Sequence, residues 1–187
     1  MSYLTLLEKM RTGHVNRWQI VRTARDQTLA EHLYLVYTIV HEIAGLVDIP
    51  PAIAMMAERW ALIHDLPEVI TGDIATPIKA AMKKAVPETD PVHDIEMKLD
   101  EDYSQILTFI KEKCPVAKDI VKLADLMEAC FFLRTEGMGD HAESVLRRLK
   151  IECNNKMCTI TTKYPEYNWL PVIYIKRTML GEKQDGQ

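Results

Sequence analysis

The chain has 187 residues, of which 48% are hydrophobic and 27% charged, and its formal net charge is −4. This size and composition predict one globular domain spanning residues 1–187, with a core that needs no disulfides. The acidic pI of about 5.9 argues against long nucleic acid as a partner but leaves a single nucleotide open. We expect no membrane partner and a cytoplasmic location, because no apolar run approaches the ~18 residues of a span and the N-terminus lacks signal-peptide features.

Apolar residues recur at helical spacing through the first third of the chain. A long, almost wholly apolar helix is predicted over residues 28–47, with Thr28 as its N-cap and Glu31 completing a capping box. Asp48 and the two prolines that follow end it. A second helix is predicted from Pro51 to about residue 66, where Pro67 ends or bends it.

Helical patterning continues to the C-terminus. Residues 71–73 are predicted as a turn, and Thr76 as the N-cap of a short helix running to residue 84. After a loop at 86–91, helices are predicted over 92–113, from 115 to near 137, over 140–162, and briefly after residue 164. The last seven residues, 181–187, are expected to fray. Because strand signals are scarce, the predicted fold is all-α, a single-domain helical bundle.

Two histidines and two acids stand out within this apolar pattern. His32 lies in the first turns of the most apolar helix, His64 and Asp65 end the second helix, and Asp125 interrupts an apolar helical run. Each alone is compatible with a hydrogen-bonded core histidine, a surface pair or a salt bridge. Together they form a mixed nitrogen and oxygen ligand set for a divalent cation, because a buried charge needs compensation.

Several short motifs, in order, resemble a known superfamily. They are N-R-W at 16–18, R-T at 22–23, A-E-H at 30–32, H-D-x-x-E at 64–68, T-G-D-I-x-T-P-I-K at 71–79 and A-D at 124–125. The order H…HD…D resembles the HD-domain phosphohydrolases. The wider set resembles the YfbR-like 5′-deoxynucleotidases and the compact phage HD enzymes that hydrolyse dATP to deoxyadenosine and triphosphate. The resemblance covers about residues 16–126 and implies an HD-type bundle that hydrolyses phosphate esters.

The resemblance implies roles around a metal centre. Glu68 resembles the group that orients or deprotonates the attacking water, and Asp73 resembles a second catalytic acid, either for the leaving group or for a second metal. The implied cofactor is a divalent cation such as Co, Mn, Zn, Mg, Ni or Fe. Its implied ligands are His32, His64, Asp65 and Asp125.

The resemblance also implies a binding site for a 2′-deoxyribonucleotide. Arg17 and Lys79 resemble phosphate contacts. Trp18 resembles the wall under the deoxyribose, which a 2′-hydroxyl would crowd. Ile20 and Pro77 resemble positions that pack against the base and sugar.

Two reactions on the same 5′ ester remain open. A triphosphohydrolase releases triphosphate from a dNTP, and a nucleotidase releases phosphate from a dNMP. Trp18, Ile20 and Pro77 favour the dATP-type reaction. The distinction depends on how far basic side chains extend beyond the α-phosphate, and the candidates are Arg17, Arg22, Arg25, Lys79, Lys83 and Lys84. Of these, Arg22 and Arg25 either contact phosphate or brace the loop that carries them.

Other functions fit the sequence less well. A cyclic-nucleotide phosphodiesterase of the HD type often carries an extra histidine pair, which this chain lacks. An inactive binding protein need not keep Glu68 and Asp73. We also expect a homo-oligomer, because the apolar residues at 131–133 and around Trp169 exceed what a small bundle buries. The remaining histidines, His141 among them, are assigned structural or surface roles.

Overall fold

The computed structural model describes residues 4–182, and its regular elements are helical. Within these residues the backbone forms only two isolated β-bridges, Asn16–Thr28 and Thr23–Gly137. The all-α prediction is therefore confirmed. The helices are α1 (Leu6–Lys9), a 3₁₀ turn (Met10–His14), α2 (Leu29–Val47), α3 (Pro51–Ala61), α4 (Glu68–Thr71), α5 (Thr76–Ala85), α6 (Pro91–Leu99), α7 (Glu101–Lys113), α8 (Pro115–Glu136), α9 (Gly139–Lys163) and α10 (Leu170–Leu180).

Helix α8 is the centre of the bundle. It packs against α2, α3, α7, α9 and α10, and Ile120, Leu123 and Met127 on it are fully buried. Each such side chain contributes about 1.5–3 kcal/mol through the removal of apolar surface from water. Polar side chains on this helix, including Asp125 and Glu128, are therefore held at fixed positions by a packed core. No helix in the described part of the chain is both long enough and apolar enough to cross a membrane.

The second predicted helix ends earlier than its pattern suggested. Helix α3 stops at Ala61, and a series of turns leads to α4. Pro67 has no N–H to donate to the carbonyl of Ile63, and that carbonyl accepts instead from Leu66 N at 2.9 Å. The HD pair therefore lies on tight turns rather than on a regular helix.

Two further differences concern helix ends. The helix predicted over 92–113 is broken at Asp100, whose side chain accepts from Asp102 N at 3.0 Å and so starts a new helix, α7. Aspartate competes in this way for backbone N–H groups. Thr76 is the first residue of α5 rather than its N-cap, a position taken by Ala75. Of the seven residues predicted to fray, 183–187 lie outside the described residues.

Candidate functional site

The first turn of α2 fixes the position of His32. The Thr28 side chain accepts from Glu31 N at 3.2 Å and caps the helix as predicted, while the Glu31 carboxylate turns to Arg25. His32 is fully buried, and its Nδ1 lies 2.7 Å from Glu128 Oε2. Because a carboxylate accepts here, a neutral His32 keeps its proton on Nδ1 and directs the Nε2 lone pair inward.

The turns after α3 present His64 and Asp65. His64 Nδ1 lies 2.9 Å from the Ala61 carbonyl oxygen, which can only accept, so the Nε2 lone pair of His64 is also free for a ligand. Asp65 Oδ2 lies 3.4 Å from His64 Nε2 and accepts from Arg17 Nη1 at 3.0 Å. The α3 turns thus supply one nitrogen and one oxygen to the same point.

Three separate parts of the fold meet at this point. His32 Nε2 is 3.5 Å from Asp65 Oδ2 and 3.6 Å from Asp125 Oδ1 on α8. One ligand atom each from His32, His64 and Asp125 lies within 4.8 Å of the others. The Nε2 atoms of both histidines are buried without a hydrogen-bond partner. Unpartnered imidazole nitrogens beside carboxylates fit a divalent cation, which would satisfy both.

The close packing of the four candidate ligands shifts their pKa values. Burial of His32 disfavours its charged form, but the neighbouring carboxylates of Asp65 and Glu128 outweigh burial and raise its pKa to about 9. Burial lowers the pKa of His64. For Asp65, burial is outweighed by His64, His32 and Arg17, which hold its pKa well below the usual range.

Asp125 is also held ionised. Burial would raise its pKa, but Lys122 and the two histidines lower it. Lys122 Nζ donates to Asp125 Oδ2 at 2.7 Å. Both carboxylates are therefore available as charged ligands at neutral pH.

Glu68 lies beside the cluster at the start of α4. It is 3% exposed, and Lys79 Nζ donates to its Oε1 at 3.3 Å, while Oε2 is buried without a partner. Burial and the neighbouring Asp65 carboxylate raise the pKa of Glu68 to about 8. A carboxylate with a pKa near neutral and one free oxygen has the properties of a general base.

Trp18 adopts a strained backbone next to this centre. Its φ is +63°, in the left-handed region that residues other than glycine rarely occupy. The carboxylate of Asp73 accepts from Trp18 N at 3.1 Å, and Trp18 O accepts from Val21 N at 2.9 Å. The indole lies parallel to Phe132, with ring centroids 5.9 Å apart. Strain retained in this way often accompanies a functional position.

A cleft of about 430 Å³ opens beside the candidate ligands. Most of the residues predicted to contact substrate line it, and Lys79 lies against Glu68 instead. The lining residues among those predicted are Arg17, Trp18, Ile20, Asp73, Pro77 and Asp125. The cleft thus brings one phosphate-binding candidate and the sugar- and base-binding candidates together with one metal-ligand candidate, Asp125.

One wall of the cleft was not foreseen. It is formed by α9 and includes His141, Val145, Arg148 and Glu152, although His141 had been assigned no site role. These residues recur at helical spacing, which places them on one face of α9. Their spacing alone does not distinguish a cleft wall from an exposed face, because the packing of α9 on α8 decides it.

Two buried polar residues were also missed. Gln27 and Glu128 are 0% and 1% exposed, and Gln27 Nε2 donates to Glu128 Oε1 at 2.6 Å. Glu128 lies three residues after Asp125 and so on the same side of α8. That spacing within an apolar helix was the available signal.

The structure also decides between the alternatives for Arg25. Its guanidinium donates to both Glu31 oxygens, at 2.7 and 2.9 Å, and lies 3.4 Å from Glu136. It also covers the Phe132 ring at 5.1 Å. Arg25 therefore braces the loop between the 3₁₀ turn and α2.

Comparison with known proteins agrees with this architecture. The family model described as 5′-deoxynucleotidase YfbR-like matches residues 2–143. The chain belongs to this YfbR-like family. As a YfbR-like protein it is an HD-domain nucleotide phosphohydrolase, a hydrolase acting on phosphate esters.

Individual YfbR-like relatives carry two different names. The dATP triphosphohydrolase of Acinetobacter phage SH-Ab 15497 is 31% identical over 182 residues, covering 90% of this chain and 87% of the relative. The dATP triphosphohydrolase of Cyanophage S-2L is 29% identical over 150 residues, covering 80% of this chain and 81% of the relative. The 5′-deoxynucleotidase YfbR of Salmonella typhi is 30% identical over 131 residues, covering 64% of this chain and 65% of the relative.

A solved structure shares the fold. The Cyanophage S-2L HD phosphohydrolase DatZ, bound to dA and one catalytic Zn²⁺, superposes with a TM-score of 0.80 and 23% identity, covering 98% of this chain and all of the other. The HD-type helical bundle predicted from the sequence is thereby confirmed for this YfbR-like chain.

Proposed function

We propose that the protein hydrolyses the 5′ phosphate ester of 2′-deoxyribonucleotides, with dATP or another dNTP as substrate and deoxynucleoside plus triphosphate as products. The observation that carries this proposal is the cleft itself, which joins the candidate ligand cluster to the Trp18 indole. The names of the phage relatives support the same substrate class.

The proposed metal ligands are His32, His64, Asp65 and Asp125. When bound there, a divalent cation supplies a Lewis acid for the phosphate oxygens and lowers the pKa of the attacking water toward about 7. Zn²⁺ is one candidate, since the relative of known structure holds it. The same hard, mixed ligand set accepts Mn, Co, Ni, Fe or Mg.

Two acidic residues, Glu68 and Asp73, are the proposed proton acceptor and proton donor. Glu68 accepts a proton from the water that attacks the α-phosphorus, through its unpartnered Oε2. Breaking the bond to the 5′ oxygen requires a proton on that oxygen, and Asp73 on the cleft wall is the proposed donor. Arg17 lines the cleft and stabilises the negative charge of the phosphate oxygens, and Lys79 contributes there once its ion pair with Glu68 opens.

Trp18 is the proposed sugar wall. Its indole closes the cleft beside the phosphate-binding residues, so a 2′-hydroxyl meets a rigid ring. Ile20 and Pro77 line the same cleft and are the proposed contacts of the base and sugar. Arg148 and Lys122 extend positive charge along the cleft, which favours a triphosphate over a monophosphate.

The second candidate is a 5′-deoxynucleotidase that acts on dNMPs. It is favoured by the ion pair between Lys122 and Asp125, because a lysine so engaged is less available to a distal phosphate. The Salmonella relative carries this name.

A product assay separates the two candidates. The protein is incubated with dATP, dAMP, ATP and AMP in the presence of Zn²⁺, Co²⁺, Mn²⁺ or Mg²⁺, and the products are resolved by ion exchange. We expect triphosphate and deoxyadenosine from dATP and little turnover of ATP. Orthophosphate from dAMP alone would establish the nucleotidase instead, and equal turnover of ATP and dATP would remove the sugar-wall role of Trp18.

A further inference from the structure

A continuous hydrogen-bond chain joins the Trp18 indole to the His32 imidazole. Trp18 Nε1–H donates to Gln27 Oε1 at 2.8 Å, and Gln27 Nε2 donates to Glu128 Oε1 at 2.6 Å. The other oxygen of Glu128 lies 2.7 Å from His32 Nδ1. Gln27, Glu128 and His32 are all buried from solvent.

The donor and the acceptor of each hydrogen bond in this series follow from the chemistry of the side chains. The carboxylate of Glu128 accepts at both oxygens, so the Gln27 amide must turn its NH₂ group toward Glu128. The amide oxygen of Gln27 is then the acceptor that faces the indole N–H of Trp18. The orientation of His32 and that of Trp18 are therefore both set by Glu128.

The indole depends on this support. The Trp18 backbone is held at a positive φ, and Gln27 Oε1 is the acceptor of its half-buried indole N–H at 2.8 Å. The rest of the ring contacts Phe132, which lies one helical turn beyond Glu128 on α8. Loss of the Gln27 acceptor leaves stacking alone to hold the ring.

We propose that Gln27 and Glu128 are positioning residues that couple the metal ligand His32 to the sugar wall Trp18. A cation that replaces the proton on His32 Nε2 would change the charge of the ring and with it the strength of hydrogen-bond donation by Nδ1–H to Glu128, and this change would pass through Gln27 to the indole. Discrimination against a 2′-hydroxyl and occupancy of the metal site are then linked. The sugar part of this inference rests on the proposed function, whereas the metal-to-indole coupling does not require a substrate.

The coupling is tested without substrate by the indole N–H signals of ¹⁵N-labelled protein. The chain has three tryptophans, and Trp18→Phe and Trp169→Phe assign their signals by deletion. We expect Zn²⁺ to shift the Trp18 signal in the wild type. In Gln27→Met, which keeps side-chain length but removes both hydrogen bonds, we expect the shift to be lost while calorimetry still detects Zn²⁺ binding.

The outcomes separate the coupling from the proposed function. Zn²⁺ binding with an equal Trp18 shift in wild type and Gln27→Met would overturn the coupling and leave the metal site intact. Zn²⁺ binding to the wild type without any Trp18 shift would do the same. Failure of the wild type to bind Zn²⁺, Mn²⁺ or Co²⁺ would overturn the proposed metal centre and the coupling with it.

Selectivity provides a second, independent measurement. We expect Gln27→Met and Trp18→Phe each to lower the ratio of kcat/KM for dATP over ATP by about tenfold, and the double variant to lower it no further than Trp18→Phe alone, because Gln27 acts on the sugar only through the indole. Trp169→Phe is the matched control: it removes an indole that donates to the Tyr164 carbonyl at 2.8 Å in the core and should leave the ratio unchanged. Additive losses in the double variant would overturn the proposal.

Glu128→Gln tests the hydrogen bond between Glu128 and His32 at the metal side of the series. A glutamine that accepts from Gln27 turns its own NH₂ group toward His32 Nδ1–H, where two donors oppose each other. We expect cation affinity to fall about 10–100-fold, as is typical when the partner of a ligating histidine is changed. Unchanged affinity together with an unchanged Trp18 shift would overturn the role of Glu128.

Discussion

At the residue scale, Glu68 has one oxygen facing Lys79 and the other without a partner, in a nearly closed environment. Burial and the Asp65 charge keep its proton bound to a higher pH than usual. His32 shows the opposite balance, since neighbouring carboxylates overcome burial and stabilise its charged form. We expect both groups to lose a proton when a cation binds to the cluster, and each group gives one prediction.

Glu68→Gln should retain cation binding and lose most turnover. A well-placed general base contributes typically about 10²–10⁴-fold, and glutamine cannot accept the proton. Steady-state rates and calorimetric cation affinity measure the two effects separately. The control is Glu42→Gln, on an exposed face of α2, which should keep normal rates. Normal turnover in Glu68→Gln would remove Glu68 from the proposed mechanism.

Cation binding should release a proton from His32. Its pKa of about 9 in the free protein means that the imidazole is protonated at neutral pH, while the lowered pKa of His64 leaves that ring neutral. In the Glu68→Gln background, calorimetry in buffers of different ionisation enthalpy should give about one proton per cation near pH 7, and affinity should rise about tenfold per pH unit below the pKa. Affinity independent of pH would contradict this assignment.

At the element scale, an ion-pair group ties the start of α8 to the end of α9. Asp119 accepts from Lys156 at 2.6 Å, from Lys163 at 2.8 Å and from the Tyr164 hydroxyl at 2.7 Å. Burial opposes ionisation of Asp119, but these hydrogen bonds outweigh it and lower its pKa to about 2. This group therefore holds α9, which lines the cleft, against α8, which carries Asp125.

Asp119→Asn should lower the free energy of unfolding by about 1–2 kcal/mol at neutral pH. The folded-state pKa is depressed, so this stabilisation is fully present above the unfolded pKa of about 4 and disappears as the pH falls toward about 2. Urea denaturation at several pH values measures it. Glu143→Gln, which removes an exposed pair with Arg147, should cost under about 0.5 kcal/mol. A difference between Asp119→Asn and wild type that persists at the lowest pH would contradict this account.

At the scale of the whole molecule, the candidate metal centre joins α2, the turns after α3, and α8. A cation bound there holds these three parts together in the folded state only. At a concentration 100 times its Kd it should stabilise the fold by about 2.7 kcal/mol.

The resulting prediction is a rise of about 5–10 °C in Tm on cation addition, reversed by a chelator. Asp125→Ala should abolish most of the rise, because it removes the ligand from α8. Asp102→Ala, at a side chain 70% exposed on α7, should preserve it. Scanning calorimetry measures both. An equal rise in Asp125→Ala would show that the cation binds elsewhere.

The homo-oligomer stays a prediction, and part of its original basis is changed by the structure. Phe132 packs under Trp18, and Trp169 is buried in the core, so neither needs a second subunit. Phe131 is 40% exposed. Light scattering measures the mass directly.

The sequence by itself determined the helices and the types of residue at the site. Periodicity and capping predicted α2, α8 and α9 because these signals are local and repeat within each turn. The ordered histidine and aspartate motifs supplied the resemblance that the family comparison confirms. The same signals missed the break at Asp100. Hydrophobic periodicity continues through this position, but the Asp100 side chain accepts from a backbone N–H and starts a new helix.

Only the tertiary structure decided which polar residues face one another. Gln27 and Glu128 are 101 positions apart, and Arg148 reaches the cleft only because α9 folds back along α8. Such contacts depend on how helices pack, whereas helical periodicity fixes only which residues share a face. The left-handed backbone at Trp18 likewise occurs together with a hydrogen bond to the distant Asp73, and tryptophan has no intrinsic preference for that conformation.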